Sequence, residues 1–221
     1  MKKIKVPKEP PRFLDKEEVP RLLDACLDQT PEICPVLVMA LHTGMRKSEL
    51  LNLRWEDVDF ERGTLTVSSR EEWHTKNYES RKMPLYEEVG KVLKPMRQGK
   101  GYVFVDQEGS KMGIHFVDGR LDKAAKYAGL GHLYMHVFRH TFASHLVMAG
   151  VDLPTVQRLM GHRDIKTTMR YAHLAPDHLR MAMAMLDFNR HYLDTMALES
   201  KFSLSKHCHK SSKNGEVGGG N

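Results

Sequence analysis

The sequence predicts a mainly helical α+β fold carrying a small three-stranded antiparallel sheet. Two patterns predict it. Apolar residues recur at helical spacing through most of the chain, as at Val19, Leu22, Leu23, Cys26 and Leu27. One region instead alternates apolar with polar residues, at Val58, Phe60, Leu65 and Val67 on either side of Glu61-Arg62-Gly63, as a β-hairpin does. A chain of 221 residues, 41% of them hydrophobic, can fill one core of ordinary domain size.

Taken in order, residues 1–12 are basic and hold Pro7, Pro10 and Pro11, which oppose regular structure, so they read as a linker. The structured part is expected over residues 13–198. Asp15 followed by Glu18 resembles a capping box, and Pro20 moves the helix start toward Val19. A second helix, about Pro31 to Thr43, delivers the chain to Gly44, where a tight backbone approach precedes a helix from Lys47 to Leu53. The hairpin follows. Met83 to Leu85 supplies a third strand, which puts Lys76 on the connecting loop. Glu87 to Met96 and Phe116 to Ala128 read as helices, with Gly99, Gly101 and Gly109 marking the loop between them. Helices from His136 to Ala149 and from Leu153 to Met160 are parted by Gly150-Val151-Asp152, with Asp152 placed to cap the second. Gly161 ends that helix beside His162, and Tyr171 falls on a further helix from about Lys166. After Pro176 a helix bearing Leu179, Met183, Leu186 and Leu193 continues to about Leu198. Residues 199–221 carry too little apolar surface to offset the entropy of ordering and are expected to be disordered; His207-Cys208-His209 could at most catch a metal adventitiously.

Lys and Arg number 34 against 28 Asp and Glu, a formal net charge of +6, which suits a partner with a phosphate backbone. The three cysteines, Cys26, Cys34 and Cys208, are odd in number and lack paired metal spacing, which favours a reducing compartment. No apolar run approaches a membrane span, and the start MKKIKVPKEPPRF has charges without an apolar core of the signal-peptide kind. A cytoplasmic, nucleoid-associated location is expected.

The stretch from His136 to Pro176, HVFRHTFASHLVMAGVDLPTVQRLMGHRDIKTTMRYAHLAP, together with LHTGMRKSELLNLRW from Leu41 to Trp55, closely resembles the catalytic domain of tyrosine recombinases, the phage-integrase family with its Xer-like members. The resemblance covers roughly Phe13 to Leu198 and implies the fold of that catalytic domain. It singles out six residues: Arg46, Lys76, His136, Arg139, His162 and Tyr171. The chemistry explains the residue types. A phosphodiester repels nucleophiles, and its transition state places more charge on the non-bridging oxygens, which two guanidiniums such as Arg46 and Arg139 can bind in fork geometry. A phenol such as Tyr171, with an ordinary pKa of about 10, must lose its proton as it attacks phosphorus. The leaving 5′-oxygen needs a proton, and Lys76 occupies the family's place for that acid. By the same resemblance His136 assists proton transfer at Tyr171, and His162 hydrogen-bonds the scissile phosphate. The implied product is a 3′-phosphotyrosine bond with a free 5′-hydroxyl. Arginine and lysine supply the neutralising charge, so no cofactor is expected.

Each residue has a plainer reading. A single Arg, Lys or Tyr in a basic protein is ordinarily a solvated surface residue, and it is the constellation that outweighs this. Lys82 competes with Lys76 from the same hairpin region; Lys76 lies nearer the turn, where reach into a groove is easier. Glu49, three residues after Arg46, can either hold that guanidinium or be an ordinary helix surface charge. His136 and His140 share a helix face, but no acidic residue follows His136 as in His-Glu-x-x-His and no third ligand has recognisable spacing, so His140 reads as structural beside the arginine. His42, His132, His145 and His173 have no role from sequence.

The family's catalytic domain ordinarily follows a helical core-binding domain, and this chain begins almost at the catalytic part. Phe138 replaces the commoner Leu of His-x-Leu-Arg, a swap between core residues. Double-stranded DNA is the expected partner, in a homotetramer on two DNA sites with the segment after the tyrosine exchanged between protomers; that segment folding back on its own core is the alternative. Supercoil relaxation of the type IB topoisomerase kind and a non-catalytic DNA-binding regulator are further readings, and a zinc nuclease is a remote one.

Overall fold

A computed structural model describes residues 11–70, 80–97 and 99–176. Lys76, the helix expected after Pro176 and the segment 199–221 lie outside the described residues. Helix α1 (Glu18–Gln29) is opened by a reciprocal cap: Asp15 Oδ1 accepts from the amides of Glu17 and Glu18, and Glu18 Oε2 accepts from the amide of Asp15. Pro20 sits in the first turn, where the amide it lacks would have no helical partner. A 3₁₀ turn (Pro31–Ile33) leads into α2 (Cys34–Thr43), and α3 (Lys47–Leu51) follows, two residues shorter than expected.

The sheet has order β1-β2-β3, from β1 (Val58–Asp59), β2 (Thr64–Val67) and β3 (Arg81–Pro84), all antiparallel. Register sets Leu65 opposite both Val58 and Met83, so the three apolar residues share the buried face. The third strand begins two residues earlier than Met83 and so includes Arg81. Next come α4 (Glu87–Leu93), which tightens into a 3₁₀ turn at Lys94–Met96 around Pro95, then α5 (Ile114–Tyr127), α6 (Met135–Met148) and α7 (Leu153–Met160). Asp152 caps α7 by accepting from the amide of Thr155 at 2.8 Å.

Tyr171 is not on an α-helix. A single turn, α8 (Ile165–Thr168), gives way to a 3₁₀ segment (Met169–Leu174) that carries it. The inward positions, Thr168 at the end of α8, Tyr171 and the partly buried Leu174, recur every third residue, and three per turn is the 3₁₀ period.

Helix α2 is apolar nearly all round and packs against α6. Two clusters result. The larger gathers α1, α2, the sheet, α5 and the start of α6, including Leu14, Leu22, Leu37 and Phe138, each contributing about 1.5–3 kcal/mol by burial. The smaller joins the end of α6 to α7 through Ala143, Val147, Val156, Met160 and Tyr171. Arg12, placed in the linker by sequence, donates to the Leu130 carbonyl at 2.7 Å, and His145 binds the Leu14 carbonyl at 2.8 Å, so the entering chain is tied down. Among the described residues no helix is long and apolar enough to cross a membrane.

Candidate active site

The C-terminal end of α7 organises the site. Carbonyls at a helix end have no helical donor and carry the negative end of the macrodipole. Here three consecutive ones each accept from a different arginine: Leu159 from Arg81 Nε at 3.2 Å, Met160 from Arg139 Nη2 at 2.6 Å, and Gly161 from Arg46 Nη2 at 3.4 Å. Gly161, at φ 62°, turns the chain out of the helix and places His162 next to these guanidiniums.

Arg139 comes from α6 and is buried; its other fork nitrogen donates to the Gly44 carbonyl. That carbonyl is within reach because Gly44 sits at φ 59° and has no side chain: a Cβ there would lie 2.3 Å from the Phe142 ring. Burial, and then the nearby Arg46 charge, push the Arg139 pKa down to about 9, so it stays cationic at neutral pH.

Arg46 caps the start of α3 with Glu49 as its partner. Glu49 Oε2 accepts the Arg46 amide at 2.9 Å and Oε1 accepts Arg46 Nη1 at 2.8 Å. Arg81, from β3, grips both oxygens of the same carboxylate in a fork, at 3.0 and 2.7 Å. Burial alone would raise the Glu49 pKa; the Arg81 hydrogen bonds and charge, with help from Arg46, overcome it and hold the pKa down at about 2. Of the two sequence readings of Glu49, the one in which it holds the guanidinium matches this geometry.

His162 Nδ1 lies 3.0 Å from Thr168 Oγ1. Its burial, then the charges of Arg139 and Arg46, depress its pKa to about 3, so the ring is neutral when the site is empty. Tyr171 is 1% exposed, and its hydroxyl lies 2.7 Å from His140 Nδ1. Burial raises the Tyr171 pKa, against the charges of Arg170 and Arg139. Burial, followed by His136 and the nearby arginines, lowers that of His140 to about 4. The imidazole is therefore neutral where it meets the phenol.

Of the six residues singled out by sequence, Arg46, Arg139 and His162 meet at the end of α7, and Tyr171 lies on the segment that follows. His136 is exposed on the first turn of α6, and its ring packs edge-on to His140 with centroids 5.0 Å apart. Lys82 is exposed on β3, opposite Thr66. Sequence reading missed Arg81, and read His140 as structural where the structure puts it on the tyrosine hydroxyl. The spacing His136, Arg139, His140 did place both histidines near one face. Nothing local marks Arg81, whose partners lie 32 and 78 residues away in sequence.

Residues 12–178 match the model of the phage integrase family. The tyrosine recombinase XerC of Oceanobacillus iheyensis is 34% identical over 188 residues, covering 80% of this chain and 62% of that protein. The fold is similar to the catalytic domain of bacteriophage HP1 integrase, at TM-score 0.64 and 27% identity, covering 81% of this chain and 97% of that one. It is also similar to the Tn1549 transposon integrase in complex with circular intermediate DNA, at TM-score 0.67 and 26% identity, covering 83% and 69%. The chain spans about 62% of the length of the XerC relative. With the family model matched over most of its length and the fold shared with integrase catalytic domains, this chain belongs to the phage integrase family.

Proposed function

We propose that the protein cleaves and rejoins double-stranded DNA at specific sites through a 3′-phosphotyrosine intermediate. The observation that carries this reading is the convergence of Arg46, Arg139 and His162 on one helix end, with Tyr171 on the next segment of chain. In this reading the scissile phosphate lies against Arg46 and Arg139, whose charge grows in value as the phosphorane forms. His162, neutral in the empty site, donates a hydrogen bond to a phosphate oxygen. Tyr171 Oη attacks phosphorus as its proton passes to the imidazole of His140, which faces the hydroxyl, with His136 beside it assisting the transfer. The bond to the 5′-oxygen breaks as the bond to Oη forms, and Lys76 protonates the departing oxygen. One phosphoester replaces another, so no nucleotide is consumed, and the guanidiniums stand where a metal would otherwise neutralise charge. No cofactor is required.

Because Tyr171 is buried, the 3₁₀ segment has to shift before the hydroxyl can reach phosphorus. We assign that shift to assembly: four copies on two DNA sites, with the segment bearing Leu179, Met183, Leu186 and Leu193 packed on a neighbouring protomer. DNA as partner is supported by the net charge of +6 and by the DNA complex of the Tn1549 integrase. Residues 13–198 then form the catalytic domain, behind a basic linker at 1–12, in a protein of the nucleoid-bearing cytoplasm.

The test is an SDS-resistant protein–DNA adduct assay on a pool of nicked duplexes randomised around the nick, in EDTA. An adduct with the native protein and none with Tyr171→Phe is expected. Equal adducts from both proteins, or loss of the adduct on chelation, would overturn the reading.

A further inference from the structure

Of the three arginines bound to the carbonyls at the end of α7, Arg81 is the one that the cleavage chemistry has not used. Its Nη1 and Nη2 are both spent on Glu49, and its Nε on the Leu159 carbonyl. Its side chain is 13% exposed, against 20% for Arg46. Arg46 is held more loosely: Nη1 binds Glu49, while among the described residues Nη2 has only the 3.4 Å contact with the Gly161 carbonyl. The buried carboxylate is therefore shared unequally. Arg81 takes the bidentate grip, and Arg46 keeps one strong bond and an outer edge free to accept an anion. Without Arg81, the Glu49 charge would fall to Arg46 alone, and the natural fork-to-fork pairing would turn that edge inward and neutralise it.

We propose that Arg81 is a positioning residue for strand cleavage, which by occupying Glu49 keeps Arg46 aimed and electrostatically available for the scissile phosphate. The proposal rests on the strand-cleavage reading. It also explains the bare backbone at Gly161, where a Cβ would lie 2.9 Å from both Cδ and Nη1 of Arg81. Arg81 passes directly over that residue, so one side chain ties β3 to α3 and to the helix end preceding His162.

The test measures single-turnover adduct formation at saturating nicked DNA with Arg81→Gln and with Arg81→Lys, which keeps the charge but cannot span both oxygens. Both are expected to lose about tenfold or more in rate, with DNA affinity within about twofold of the native protein, as misaiming a phosphate ligand should cost. Two readouts separate aiming from mere structure. A nicked duplex with a neutral methylphosphonate at the scissile position needs less positive charge, so the loss should shrink to about threefold or less. In a Glu49→Gln background, Arg81→Gln should cost nothing further, because the two act as a unit. Rates unchanged in both variants, equal losses on the charged and neutral substrates, or independent losses multiplying in the double variant would each overturn the proposal. A native protein that forms no adduct overturns the cleavage reading itself, which the native control separates from failure of this inference alone.

Discussion

The hydroxyl of Tyr171 is held 2.7 Å from Nδ1 of His140, thirty-one residues earlier in the chain, and the tyrosine ring fills the apolar space between α6 and α7. A phenol paired with a neutral imidazole, its pKa raised by burial among Ala143, Val147, Val156 and Met160, is protonated and shielded. Its hydroxyl faces the protein's own helix, and proton transfer to His140 is uphill here, since burial raises one pKa and lowers the other. In the proposed reaction this contact is a clasp that has to open before Tyr171 can attack.

Opening should be measurable by acylating tyrosines with N-acetylimidazole and mapping the products by mass spectrometry. In the native protein Tyr171 is expected to react far more slowly than Tyr127 and Tyr134, which are exposed. In His140→Ala the loss of one hydrogen bond, worth about 1 kcal/mol, should speed labelling of Tyr171 by about fivefold. Labelling of native Tyr171 as fast as Tyr127 would show that no clasp exists in solution.

Two glycines of the site should differ in how they fail. Both have positive φ, which costs an L-residue about 1 kcal/mol. Gly44→Ala also drives a Cβ to 2.3 Å from the Phe142 ring, so a total loss of roughly 2–4 kcal/mol is expected. Gly161→Ala meets first the Arg81 side chain, which can yield, so the stability loss should stay near 1–2 kcal/mol. The yielding side chain is the one that grips Glu49, however, and adduct formation should drop beyond what the stability loss explains. Urea midpoints set beside adduct rates test this; Gly161→Ala with native activity would contradict it.

The contrast between these residues also shows what sequence could carry. The helices, the hairpin and the spacing of His136, Arg139 and His140 follow from local periodicity, and Gly44 and Gly161 announce themselves beside Arg46 and His162. The 3₁₀ path of Tyr171 was not legible, because six residues of helical pattern hardly distinguish three from 3.6 residues per turn. Arg81 was not legible either. Its meaning comes from contacts to α3 and α7 made only after β3 has paired, and in sequence it is a basic residue next to another basic residue, Lys82. The role of His140 stayed hidden for the same reason, since the fold alone brings Tyr171 to it.

Acid should destabilise the protein, and the sign follows from three groups. His140 and His162 have folded pKa values of about 4 and about 3 against an ordinary 6.5, so both are kept neutral in the fold and the unfolded chain binds more protons below pH 6.5. Stability is complete above that pH and falls as pH drops through the window toward 4 and 3. Glu49 acts in the same direction at lower pH: held at about 2 against 4.5, it contributes stability above 4.5 that is lost as pH falls toward 2. Between pH 7 and pH 5 only the histidines matter, and after allowance for partial solvent screening the pair should cost roughly 2 kcal/mol. Urea unfolding of the free protein at the two pH values measures this, and His162→Gln, which cannot take up the proton, should flatten the dependence by about half, on the order of 1 kcal/mol. A protein equally stable or more stable at pH 5 would mean that these imidazoles are not held neutral, and that the positive ground around the end of α7 is weaker than Arg46, Arg81 and Arg139 make it.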